Sequence, residues 1–241
     1  MEFNKKNARI AGAWYVLFVL PFFYSLGYVP GRFLIEGDAA ATIKAIQDGE
    51  LLFRLGIVVG MIACVVYLFL LAALYKLLRP VSQYASVMMV GLGVAHLPLF
   101  FTGHIDQLNL LALLNGKGYE TAFTTEQLHA QVLLRVSGYW SSVHVNEFFM
   151  GIWLLPFGYL VFKSGFLPKI IGVWLAFNSL PYLTDFVRQM LDPGLTFPMG
   201  MRYTMMFALF GEYSIGLWLL IMGAKEIAPK SDVHRPVAAE Y

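Results

Sequence analysis

The chain has 241 residues, of which 59% are apolar and only 13% charged, against roughly 25% charged in an ordinary soluble domain. Those proportions exclude a water-soluble globular domain and a disordered chain. A formal net charge of +2 without a basic block gives a nucleic acid no electrostatic footing, and the one cysteine, Cys64, closes no internal disulfide.

A spanning helix needs roughly 20 mostly apolar residues, and six stretches qualify. The first, Ile10 to Val29, follows Lys5, Lys6 and Arg9. Ser25-Leu26-Gly27 within it is a passable signal-cleavage site, but the run exceeds the roughly 7 to 15 residues of a signal core, so it is expected to be retained. Asp38 as N-cap and Gly49 as stop then predict a short helix. The second and third spans run from Leu55 to Tyr75 and from Val81 to Gly103. Thr124 and Gln127 have capping-box spacing, which predicts a second loop helix with Leu128, Val132, Leu133 and Val136 on one stripe. Ser137 to Phe162, Ile170 to Phe186 and Tyr203 to Gly223 complete the six. The expected fold is all-α: one polytopic membrane domain over residues 1–241, with six transmembrane helices and short amphipathic helices in the outer loops.

Lys and Arg stay preferentially on the cytoplasmic side. With the N-terminus inside, that face holds ten basic residues (Lys5, Lys6, Arg9, Lys76, Arg79, Lys163, Lys169, Lys225, Lys230, Arg235) against four acids. The remainder holds seven basic residues and eleven acids. Both termini are therefore expected in the cytoplasm, with the long loops outside.

Only three charged residues fall inside the spans: Glu147, Asp185 and Glu212. Counted inward from the outer helix ends, His96 and His144 lie roughly 10 Å deep, and Glu147 and Glu212 roughly 15 Å. Asn178, Tyr182 and Asp185 share one face of the fifth span, which Arg188 extends to the mouth. Arg202, His104 and Asp106 fall at the rim, and His104, like His129 and His234, reads as solvated or interfacial. An acid at a helix centre adds roughly 2.5 to 3.5 kcal/mol to insertion, so Glu147 and Glu212 need a partner, water or a proton. Pro21, Pro98, Pro156 and Pro181 kink their spans and make room for a pocket.

The convergent set predicts a pocket that opens outward and closes toward the cytoplasm. His96, Asn178, Tyr182, Asp185 and Arg188 are its expected ligand-binding residues, for a small or lipid-like ligand. Glu212, Glu147 and His144 are the catalytic candidates for acid-base chemistry. With His96, the same three are candidate ligands of a divalent metal. Three functions stay open: a ligand-binding protein or ion-coupled carrier, for which six spans suggest a homodimer; a membrane enzyme; and a structural or regulatory subunit in which Glu and His simply hold helices in register.

Several short words carry a resemblance: ARIAG (Ala8 to Gly12), GDAAAT (Gly37 to Thr42), LFRLG (Leu52 to Gly56), LYKLLRPV (Leu74 to Val81), GIWLLPFGYLVFKSGFLPKIIGVWL (Gly151 to Leu175), and Gly211-Glu212 followed by LWLLIMG (Leu217 to Gly223). With them the chain resembles the bacterial membrane proteins grouped as domain of unknown function 4386. The resemblance implies a six-span protein of the bacterial inner membrane and places Glu212 in a motif; it supplies no activity. His96, His144 and Glu147 lie outside the resembling words.

Overall fold

The computed structural model describes residues 2–116, 118, 122–192 and 212–225, and every regular element among them is helical. Helix α1 (Glu2–Phe22) passes without a break into a π-helical stretch, Phe23–Tyr28, and then into α2 (Val29–Phe33). The widened turns follow Pro21, which has no N–H to donate to the Leu17 carbonyl. Helix α3 (Ala39–Asp48) starts where the Asp38 side chain accepts from the Ala41 N–H at 2.9 Å, and ends at Gly49. Helix α4 spans Glu50–Leu78.

The expected third span is two helices, α5 (Gln83–Ala95) and α6 (Leu97–Leu114), jointed at His96. Pro98 sits at the start of α6, where a missing N–H is tolerated. No breaker follows until Asn115-Gly116, so α6 continues well beyond Gly103, the expected exit. The expected second loop helix and fourth span are likewise one 39-residue helix, α7 (Thr125–Lys163). Both hydrogen bonds of the Thr124–Gln127 capping box start it, and Pro156 is carried within it. Helix α8 (Lys169–Leu191) likewise contains Pro181.

Five helical runs are long and apolar enough to cross a membrane: Lys5–Phe33, Glu50–Leu78, Gln83–Leu114, Thr125–Lys163 and Lys169–Leu191. Of the expected sixth span, a shorter apolar helix, α9 (Glu212–Ile221), is described; residues 203–211 lie outside the described residues.

Helix α7 is the hub, packing on α8 most extensively and also on α6, α5 and α3. Two apolar clusters divide it along its length. The larger joins Trp153, Leu154, Phe157 and Leu160 of α7 to Tyr67 and Leu70 of α4, Tyr15 of α1, Leu175 of α8 and Ile215 of α9. The second joins Val132, Val136 and Tyr139 of α7 to Phe33, Ile46, Phe53 and Leu110.

Candidate functional site

The site grows from the α7–α8 hairpin. Its turn is closed by the Ser164 hydroxyl, which donates to the Val161 carbonyl at 2.8 Å and accepts from the Leu167 N–H at 3.1 Å. Just beyond the turn the two backbones nearly touch: a Cβ on Gly158 would lie 2.7 Å from the Gly172 carbonyl oxygen and 2.8 Å from the Ala176 nitrogen. Between hydrocarbon-embedded helices, burial from lipid contributes little, and such small-residue contact supplies the packing. The tight turn and the glycine contact together fix the register, so residues equally far from the turn meet.

Glu147 is 16 residues before Lys163, and Asp185 is 16 residues after Lys169, which sets both about 24 Å from the turn. His144 and Arg188 follow, one helical turn further out. The observed contacts match this register. His144 Nδ1 lies 3.4 Å from Glu147 Oε2, and one ligand atom from each of His144, Glu147 and Asp185 falls within 4.8 Å of the others. Arg188 donates to Asp185 Oδ1 through Nη2 at 2.9 Å and Nε at 3.0 Å, while Asp185 Oδ2 is buried beside the Glu147 carboxyl. All four side chains are at most 16% exposed. Two carboxylates this close, with Arg188 the one guanidinium among the described residues that engages them, call for a shared proton or a cation.

A second polar group adjoins the first. Tyr182 donates to Glu212 Oε1 at 3.2 Å, and the Tyr15 hydroxyl also interacts with that carboxyl, so Glu212 ties α9 to α8 and α1. Asn178 is buried lower on the same face of α8.

Several expected positions fall elsewhere. His96 and Glu212 are not part of the His144–Glu147–Asp185 group. His96 lies edge-on to Tyr67, with ring centroids 4.8 Å apart, beside a narrow cleft lined by Phe18, Phe22, Cys64 and Phe100. The helix joint beside Pro98 aims its ring there. His104, expected to be solvated, is buried because α6 continues past it, and its Nδ1 meets Gln107 Oε1 at 2.7 Å. Asp106, expected at the rim, is buried and paired with Arg135 at 3.3 Å. Arg202 lies outside the described residues. Asp185, expected in the same pocket, is a direct neighbour of His144 and Glu147, as counting from the turn finds, whereas the sequence carries no comparable signal for Tyr15.

A bundle of long apolar helices around a few buried acids defines an all-helical protein of membrane class with an interhelical polar centre. The chain belongs to the family Domain of unknown function (DUF4386), whose match covers residues 10–223. An uncharacterized protein from Archaeoglobus fulgidus is 29% identical over 153 residues, covering 64% of this chain and 74% of its own length. No solved structure matches the chain.

Proposed function

We propose that this protein is a membrane-embedded binding protein whose centre, His144, Glu147 and Asp185, takes a small cationic ligand, with a divalent metal ion as the simplest occupant. The facing carboxyls of Glu147 and Asp185, with His144 Nδ1 beside them, carry this reading. Two oxygens and one imidazole nitrogen make a donor set suited to such an ion. Ligand atoms about 2.1 Å from one tetrahedral ion lie about 3.4 Å apart, so small side-chain movements close the site. Glu212, bonded to Tyr182, stands beside this centre, and His96 lies elsewhere, against Tyr67. Asn178, Tyr182 and Arg188 form the polar wall, and a lipid-like ligand would reach it from the outer leaflet. The charge bias of the connections supports an inner-membrane setting with both termini cytoplasmic.

Three protein ligands leave a further coordination position for water or substrate, which favours a metal-assisted membrane enzyme as the second reading. The test is native mass spectrometry with zinc and manganese titrations of the full chain in lipid nanodiscs. One ion per chain, lost in Asp185→Asn and Glu147→Gln but kept in Glu212→Gln, is expected. Absence of saturable binding by the folded wild type would overturn the metal reading.

A further inference from the structure

A second constellation lies away from the α7–α8 hairpin. Ser25 sits in the π-helical stretch, a deformation that often marks functional sites, and its side chain is fully buried. Opposite, on α4, Gly60 leaves no room for a Cβ: one would overlap both Ser25 Oγ and His104 Nε2, so the two atoms meet over the same glycine. Both are buried and neither has a hydrogen-bond partner among the described residues. On the far side of the ring, His104 Nδ1 meets Gln107 Oε1 at 2.7 Å. When Nδ1–H donates to that oxygen, Nε2 is the free acceptor and faces the Ser25 hydroxyl.

A nucleophile, a base and a group that orients the base are thus assembled from two parts of the chain, the π-helical stretch and α6. We propose that Ser25 is an acyl-accepting nucleophile, with His104 as its general base and Gln107 as the positioning residue. The substrate class is an acyl ester of an amphipathic lipid. Two observations select it. Counted from Leu55, the outer end of the expected second span, Gly60 lies about 8 Å into the hydrocarbon, just below the ester linkages of membrane lipids. The small cavity beside His104 has an apolar wall of Leu26, Leu99, Phe100 and Val143 with Tyr139, Ser142 and Asn146 as polar members, a lining matched to an ester linkage, and its side chains must move apart to admit an acyl chain.

In the first step Ser25 Oγ bonds to the ester carbonyl carbon as its proton passes to His104 Nε2. The C–O bond to the leaving alcohol then breaks, and the alcohol oxygen takes that proton. In the second step water attacks the acyl-serine, giving its proton to His104, which returns it to Ser25 as the fatty acid leaves. The Tyr139 hydroxyl, which lines the same cavity as His104 and is buried without a partner among the described residues, is a donor available to the developing oxyanion. Ser25 Oγ and His104 Nε2 meet over Gly60 without a hydrogen bond here, and serine–histidine contacts of this kind tighten when substrate is seated.

The test is an alkyl fluorophosphonate added to the full-length protein in nanodiscs, followed by peptide mass spectrometry. The expected adduct is on Ser25, absent in Ser25→Ala and formed at least tenfold more slowly in His104→Gln. If His104→Gln fails to fold, the Gln107 pair decides: Gln107→Leu slows labelling at least tenfold, and Gln107→Glu, which keeps the acceptor, restores it. No adduct on Ser25 in protein shown to be folded by circular dichroism overturns the proposal. So does labelling that is indifferent to both His104 and Gln107.

Discussion

Tyr182 on α8 donates a 3.2 Å hydrogen bond to Glu212 on α9, joining the short last helix to the hairpin that carries the polar centre. Interhelical hydrogen bonds in membrane proteins contribute about 0.6 to 2 kcal/mol. Tyr182→Phe is therefore expected to destabilise the protein by about 1 kcal/mol in sodium dodecyl sulfate titration of mixed micelles. A double-mutant cycle with Glu212→Gln should return a coupling of similar size. Additivity of the two changes would show that this bond contributes nothing.

Glu147 and Asp185 face each other at equal distances from the hairpin turn. Replacing one carboxyl by an amide removes their mutual repulsion and also removes a ligand. Glu147→Gln should melt no lower than wild type in chelator, yet bind zinc or manganese at least tenfold more weakly. Isothermal titration and thermal melts of the same preparations check the two halves together.

Cation binding at this centre requires an ionised carboxyl pair and a neutral imidazole, so it displaces protons. Affinity should rise with pH and fall on acidification, with protons released on titration in weakly buffered medium. Binding without proton release would count against these side chains as the ligands.

Arg188 holds Asp185 Oδ1 by two nitrogens in a poorly exposed position. Removing one partner of such a pair leaves a buried charge and costs about 3 to 5 kcal/mol. Arg188→Met should show a loss of that order, largely recovered in the double variant with Asp185→Asn. If the double variant is as unstable as the single, packing by the arginine stem outweighs its charge.

Gly158 and Gly172 let the two helices of the hairpin approach closely. Gly158→Val adds bulk against backbone atoms that cannot yield, and should cost about 1 to 3 kcal/mol or more. It should also weaken cation binding from a distance, because the register that brings Glu147 to Asp185 starts at this contact.

The helical nature of the chain and the scarcity of intramembrane charge were legible from hydropathy alone. The groupings were less so, because depth counted from the outer ends depends on where each helix begins. Helix α7 begins at Thr125 rather than Ser137, and α6 ends at Leu114 rather than Gly103. Nothing in the apolar pattern marks where a helix leaves hydrocarbon and continues in another environment. The five-residue turn after Lys163 is a better ruler, since it leaves little freedom, and counting from it brings Glu147 and Asp185 together. His96 was misplaced for a different reason: the joint beside Pro98 changes the direction its ring faces, and periodicity does not carry across such a joint.

The length of α7 means that the molecule is built for two solvents. Its 39 residues extend about 58 Å, nearly twice the hydrocarbon thickness. The cluster around Trp153 and Phe157 lies toward the hairpin end of α7, and the one around Phe33, Phe53 and Val132 toward its other end. There a helix this long is expected to leave the hydrocarbon, and water's exclusion of apolar surface to take over. Urea should loosen the second while leaving the first intact, and a change of acyl-chain length should do the reverse. The two ends of a single helix would then report separately on the aqueous and lipid phases, with the polar centre at the seam between them.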